Sequence, residues 1–82
     1  MNVLLDVMTV KVHPGYRLEL EFENGEHRMF DMSPYMEKKP FIRLKNSPFF
    51  NCAHIDYGTV VWPGDIDIAP ETLYDDSVRL DN

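Results

Sequence analysis

Tyr16-Arg17-Leu18-Glu19-Leu20-Glu21-Phe22-Glu23-Asn24-Gly25-Glu26-His27-Arg28-Met29-Phe30-Asp31 is the stretch that decides the fold. From Tyr16 to Glu23 apolar and charged residues alternate without a break, the period-two pattern of a strand with one buried face. Asn24-Gly25 then supplies the residues a two-residue type I′ turn favours, so the segment reads as a hairpin. That turn sets Phe22 opposite His27, Leu20 opposite Met29 and Glu21 opposite Arg28. Each such pair is worth roughly 0.2–1 kcal/mol. The same register leaves Phe30 on the charged face beside Glu19, which implies that this second face is partly covered. A three-residue turn would instead bring Phe30 inward and push Met29 out. The two-residue register is the expectation carried forward here.

Working outward, Val3 to Val12 is rich in Val, Leu and Thr and reads as a first strand, stopped by His13-Pro14-Gly15. Ser33-Pro34 and Ser47-Pro48 each offer a helix cap followed by a first-turn proline. The first helix is cut short by Pro40, which disfavours helical backbone at Lys39. Phe49 and Phe50 should supply the buried side of the second, and Phe41 and Leu44 should pin the segment between them. Ala53 to Asp56, a turn at Gly58, and Thr59 to Trp62 read as a second hairpin closed by Trp62-Pro63-Gly64. Pro70-Glu71-Thr72-Leu73-Tyr74 suggests a last helical turn. The fold expected is α+β: a two-layer arrangement of one antiparallel sheet of about five strands, built from two hairpins and an N-terminal strand, with short helices on one face. Residues 1–82 form one domain, with 1–2 and 76–82 frayed.

Bulk properties narrow the function classes. A chain of 82 residues buries only about 60–65% of its unfolded surface, so its core is thin and a deep pocket is expected only between subunits. A formal charge of −6 argues against nucleic acid and anionic membrane as default partners. One cysteine, Cys52, excludes an internal disulfide and fits a reducing, cytoplasmic setting. No apolar run approaches the roughly 18 residues of a membrane span, and the N-terminus lacks a signal-peptide pattern.

The ordered series Tyr16-Arg17-Leu18, Phe22 to Glu26, Phe30-Asp31-Met32-Ser33-Pro34, Pro40-Phe41, Phe49-Phe50, Val61-Trp62-Pro63 and Asp67 to Tyr74 resembles a small bacterial family, domain of unknown function 2442. The resemblance runs from about Val7 to Tyr74. It implies a compact α+β domain whose short members are often encoded beside another small protein, as in a toxin–antitoxin pair. It brings no catalytic residues. Relatives commonly carry an Asn between Pro63 and Gly64 that this chain lacks, and no room follows Asn82 for the helix-turn-helix of longer members.

Three clusters could carry chemistry. Cys52, His54 and Asp56 sit at spacing two and would share one strand face, an arrangement in which His could activate a thiol or join a metal site. Asp65 and Asp67 resemble paired cation ligands, but Ala69 and Pro70 stand where a calcium loop needs an oxygen ligand and a glycine. The simpler reading makes one of the two aspartates the cap of the Pro70 turn. Lys38, Lys39, Arg43 and Lys45 fall in an eight-residue window without an acid; removing their +4 from the total of −6 leaves −10 on the rest. That polarity suits docking to an acidic partner, or accessory contact with nucleic acid. Tyr57 should be exposed at the tip of the second hairpin, where aromatics often form interface anchors. These features point to a non-enzymatic interaction module without cofactor or metal. It would use Phe30, Lys38, Lys39, Arg43, Lys45 and Tyr57 against a small protein encoded nearby, or against a second copy. The competing expectation is a small enzyme or metal-binding protein built on Asp65 and Asp67 with His54 or Cys52.

Overall fold

The computed structural model describes residues 5–80. Seven short strands form two antiparallel sheets rather than the single sheet expected. β1 (Val7–His13), β2 (Arg17–Phe22), β3 (His27–Asp31) and β7 (Val78–Arg79) make the first, in the order β1-β2-β3-β7. β4 (His54–Asp56), β5 (Thr59–Trp62) and β6 (Ile66–Ile68) make the second. Among the described residues, helical structure is confined to 3₁₀ turns at Ser33–Tyr35, Phe41–Leu44 and Pro48–Cys52 and one six-residue helix, α1 (Pro70–Asp75). The prolines explain the brevity, since each fixes a first turn and the next breaker arrives before a second can form. Of the expected caps, Ser47 accepts from the Phe49 N–H at 3.1 Å. At the first turn Ser33 is the first residue and not the cap; Met32 stands at the N-cap without a side-chain bond, and Asp31 Oδ1 accepts the Ser33 N–H at 2.9 Å. The N-terminal part of the expected first strand, residues 3–4, lies outside the described residues.

The first hairpin uses the three-residue connection. Leu18 faces Phe30, Glu19 faces Met29, Leu20 faces Arg28 and Glu21 faces His27. The expected Glu21–Arg28 pair therefore does not form. The reason is local. Asn24 keeps a negative φ and only Gly25 crosses to the left-handed side, at φ +87. Asn24 Oδ1 accepts the Glu26 N–H at 3.0 Å, so the side chain closes its own turn instead of entering a I′ geometry. The register this permits puts Phe30 in the core with no exposed surface. Burying Phe rather than the smaller, adaptable Met favours this register by part of the roughly 1.5–3 kcal/mol that a large apolar side chain contributes. Phe30 is thus a core residue and not an interface residue, and the argument for self-association from an apolar outer face falls with it. Tyr16 also leaves the strand. It sits in the β1–β2 turn at φ +59, half-buried, packing edge-on against Phe50 at 5.1 Å.

The second hairpin turns at Tyr57-Gly58, with φ values of +53 and +73. Tyr57 lies 92% exposed at its tip. A bulky L-residue at positive φ is strained by about 1 kcal/mol relative to Asn or Gly. Tyr57→Asn is therefore expected to stabilise the monomer, raising its melting temperature by roughly 4–8 °C per kcal/mol gained. A scan showing an unchanged or lower midpoint would contradict this account of the turn.

One continuous core joins the sheets: Leu18, Leu20, Phe22, Phe30, Met32, Leu44, Val60, Trp62, Ile66 and Leu73 are all buried in it. The sheets meet where the Val7 N–H donates to the Gly58 carbonyl at 2.8 Å. Of the tail expected to fray, residues 1–2 and 81–82 lie outside the described residues, whereas Ser77 is buried and β7 pairs with β3. Arg28 makes that pairing hold. Its guanidinium donates to Ser77 Oγ at 2.6 Å and to the Ser77 carbonyl at 3.1 Å. It also meets Glu26 at 2.6 Å and lies 4.4 Å from the centre of the Tyr74 ring.

Glu26 is held below its ordinary value of 4.5, first by the hydrogen bond from the Tyr74 hydroxyl and then by those from Arg28 and Asn24. Asp31 is held below 3.8 by hydrogen bonds from Ser33. Both folded-state values are depressed, so the stability they contribute is complete above the unfolded values and is lost as pH falls through the folded ones. Urea midpoints should be flat between about pH 5 and 8 and decline below about pH 4.5. Glu26→Gln should flatten part of that decline. An acid limb unchanged in Glu26→Gln would show that other carboxylates govern it.

Candidate functional site

The 3₁₀ turn at Pro48–Cys52 repeats every three residues, so adjacent side chains point well apart. Phe50 turns inward, stacking on Trp62 with centroids 5.8 Å apart, and its carbonyl accepts the Trp62 indole N–H at 3.1 Å. Phe49 is thereby turned out and is 57% exposed, where the sequence reading had placed both rings inside. Across from it, Pro63-Gly64-Asp65 connects β5 to β6, with Gly64 and Asp65 both at positive φ. Arg43, from the turn at Phe41–Leu44, reaches over and donates from Nη2 to the Gly64 carbonyl at 2.9 Å.

These pieces enclose an open cleft of about 290 Å³ lined by Arg43, Leu44, Phe49, Pro63, Gly64 and Ile66. It is open and shallow, in keeping with a thin core that leaves little room for a deep pocket within one copy. Its walls are apolar apart from one guanidinium. At the low end of the roughly 300–1,000 Å³ range of ligand sites, it has room for one large side chain rather than for a metabolite. Such a cleft can take an apolar group and set a carboxylate against it.

Of the basic window, only Arg43 reaches this cleft. Lys38 lies 5.6 Å from the centre of the Tyr35 ring, and Lys45 is paired with Glu37, which raises its pKa. Lys39 precedes the cis peptide to Pro40. The acid and thiol candidates are dispersed. Cys52 is exposed at the end of its turn, and His54 Nδ1 donates to the Cys52 backbone carbonyl at 3.1 Å, not to the thiol. His54 and Asp67 both pair with Val61, from opposite sides of β5. They therefore stand two strand spacings apart, about 10 Å. Asp65 belongs to the turn and Asp67 is an exposed residue within β6; α1 begins at Pro70 with Ala69 as its N-cap and no side-chain cap, so neither aspartate caps it. Among the described residues no three His, Cys, Asp or Glu side chains come together as a metal-binding group. Leu44, Phe49, Pro63 and Ile66 were not read as site residues. The available signal was Ser47-Pro48 itself, since a capped 3₁₀ turn cannot bury two consecutive phenylalanines.

Two small antiparallel sheets over one core, with a single-side-chain cleft at one end, define a small β-rich α+β domain. The chain belongs to the family described as protein of unknown function (DUF2442), which matches residues 7–79. No curated protein and no solved structure matches it. Among the described residues, no helix is long and apolar enough to cross a membrane.

Proposed function

We propose that this chain is a non-enzymatic protein-binding module, acting in a bacterial cytoplasm as the accessory or neutralising member of a two-gene pair. The observation that carries the reading is the cleft between Phe49 and the Pro63–Asp65 turn. Leu44, Pro63 and Ile66 offer an apolar floor of side-chain size, and Arg43 supplies a cation in a protein that is otherwise strongly acidic. A partner presenting an apolar residue next to a carboxylate would meet both, and aromatic or Arg contacts of this kind dominate many interfaces. The resemblance to a family whose short members are encoded beside a second small protein supplies the class of partner.

The test is co-expression of the tagged full chain with the product of its neighbouring gene, followed by co-purification. Wild type should retain that product. Phe49→Ser and Arg43→Glu should each reduce retention by about tenfold or more, as loss of an interface anchor does. Recovery of the chain always alone would overturn the reading.

A further inference from the structure

The other end of the same small sheet carries the complement of the cleft. Tyr57 stands 92% exposed on a turn whose backbone disfavours it. Asp56 precedes it, and the Asp6 carboxylate packs so closely on Gly58 that a Cβ there would lie 2.5 Å from Oδ1. The tip is therefore one aromatic ring flanked by two carboxylates. The cleft is an apolar slot beside one guanidinium, that of Arg43. We propose that the Tyr57 tip of one copy seats in the Phe49–Pro63 cleft of the next, with Asp56 facing Arg43.

Topology separates the two surfaces. β5 runs from Thr59, beside the tip, to Trp62, beside the cleft, so knob and slot lie at opposite ends of one strand. The contact joins two different patches, so it either closes reciprocally about a two-fold axis, each tip in the other copy's cleft, or runs head to tail. One inserted side chain buries far less than the roughly 1,000 Å² of a stable interface, so the association is weak and rises with concentration. Tyr57 uses the cleft in the absence of a heterologous partner, and a partner of like chemistry would displace it. The inference rests on the molecule being a protein-binding module, but it is read out on the chain alone.

Sedimentation velocity of the full chain between roughly 20 μM and 1 mM, the range in which a contact of below-standard area populates, should show an average mass that rises above that of the monomer with concentration. Tyr57→Asn should sediment as a monomer while melting higher than wild type. Phe49→Ser, or Arg43→Glu should that variant fail to fold, should also be monomeric. Mixing Tyr57→Asn with Phe49→Ser should restore association that stops at two copies, because only one intact tip and one intact cleft can meet. A wild-type chain that stays monomeric, or a mixture of variants that remains monomeric, would overturn the proposal. Retention of the neighbouring gene product is scored separately, so loss of self-association with partner binding intact sinks this inference and leaves the proposed function standing.

Discussion

Trp62→Ala is expected to leave the chain largely unfolded at 25 °C. Trp62 is 1% exposed, stacks on Phe50 and meets Phe41 edge-on at 6.1 Å. Truncating a buried aromatic of this size costs about 3–5 kcal/mol through lost transfer energy and the cavity left behind. The substitution also removes the indole donor from the Phe50 carbonyl, which keeps only the longer bond from the Ala53 N–H at 3.4 Å, and the lost hydrogen bond costs about 0.5–1.5 kcal/mol more. A domain of this length has a total stability of roughly 4–12 kcal/mol, so the two losses together rival it. Far-UV circular dichroism in urea is the measurement, because the substitution removes the chain's one tryptophan as a fluorophore. Trp62→Phe should fall between wild type and Trp62→Ala, keeping most of the packing without the donor. A Trp62→Ala midpoint close to that of wild type would mean that the ring does not hold the core. The consequence reaches the cleft, since the ring and carbonyl of Phe50 anchor the turn that presents Phe49.

Elements governed by neighbours in sequence were legible in it, and those governed by distant partners were not. The Leu18, Leu20, Phe22 row turned inward as its alternation required. The Tyr57-Gly58 turn, the cap at Ser47 and the proline-led start at Pro70 followed from local backbone chemistry. The register of the first hairpin turned on one residue of loop length, which Asn24 settled by bonding to the Glu26 N–H. β6 was hidden because Ile66-Asp67-Ile68 is too short to announce a period, and β7 because Val78 and Arg79 become a strand only through β3. The cleft was partly visible as Arg43. Its walls come from three separate segments, and the outward turn of Phe49 depends on Phe50 finding Trp62 twelve residues away. Cys52, His54 and Asp56 kept the spacing that drew notice, yet the strand begins only at His54, so the thiol never joins that face.

Arg28→Leu should release the C-terminal strand before it unfolds the protein. Leucine would suit the inner face beside Leu20, so the loss comes from polar contacts and not from packing. Two charge-assisted hydrogen bonds to Ser77 and the contact with the Tyr74 ring disappear together. At about 1.5–3 kcal/mol for a hydrogen bond to a charged group, partly recovered by the apolar replacement, a net cost of about 2–3 kcal/mol is expected. β7 pairs with β3 through two exposed residues, Val78 and Arg79. The opening should therefore be local. The Leu80 amide, which donates to the His27 carbonyl at 2.8 Å, should exchange its hydrogen at least tenfold faster. Amides of the β1–β2 ladder should accelerate only as far as global stability falls. Arg28→Lys should resemble Arg28→Leu, because an ammonium cannot reproduce the planar fork that spans Ser77 Oγ, its carbonyl and Glu26. If Leu80 and the β1–β2 ladder accelerate by the same factor, Arg28 contributes to the core as a whole and β7 is not a separately released element.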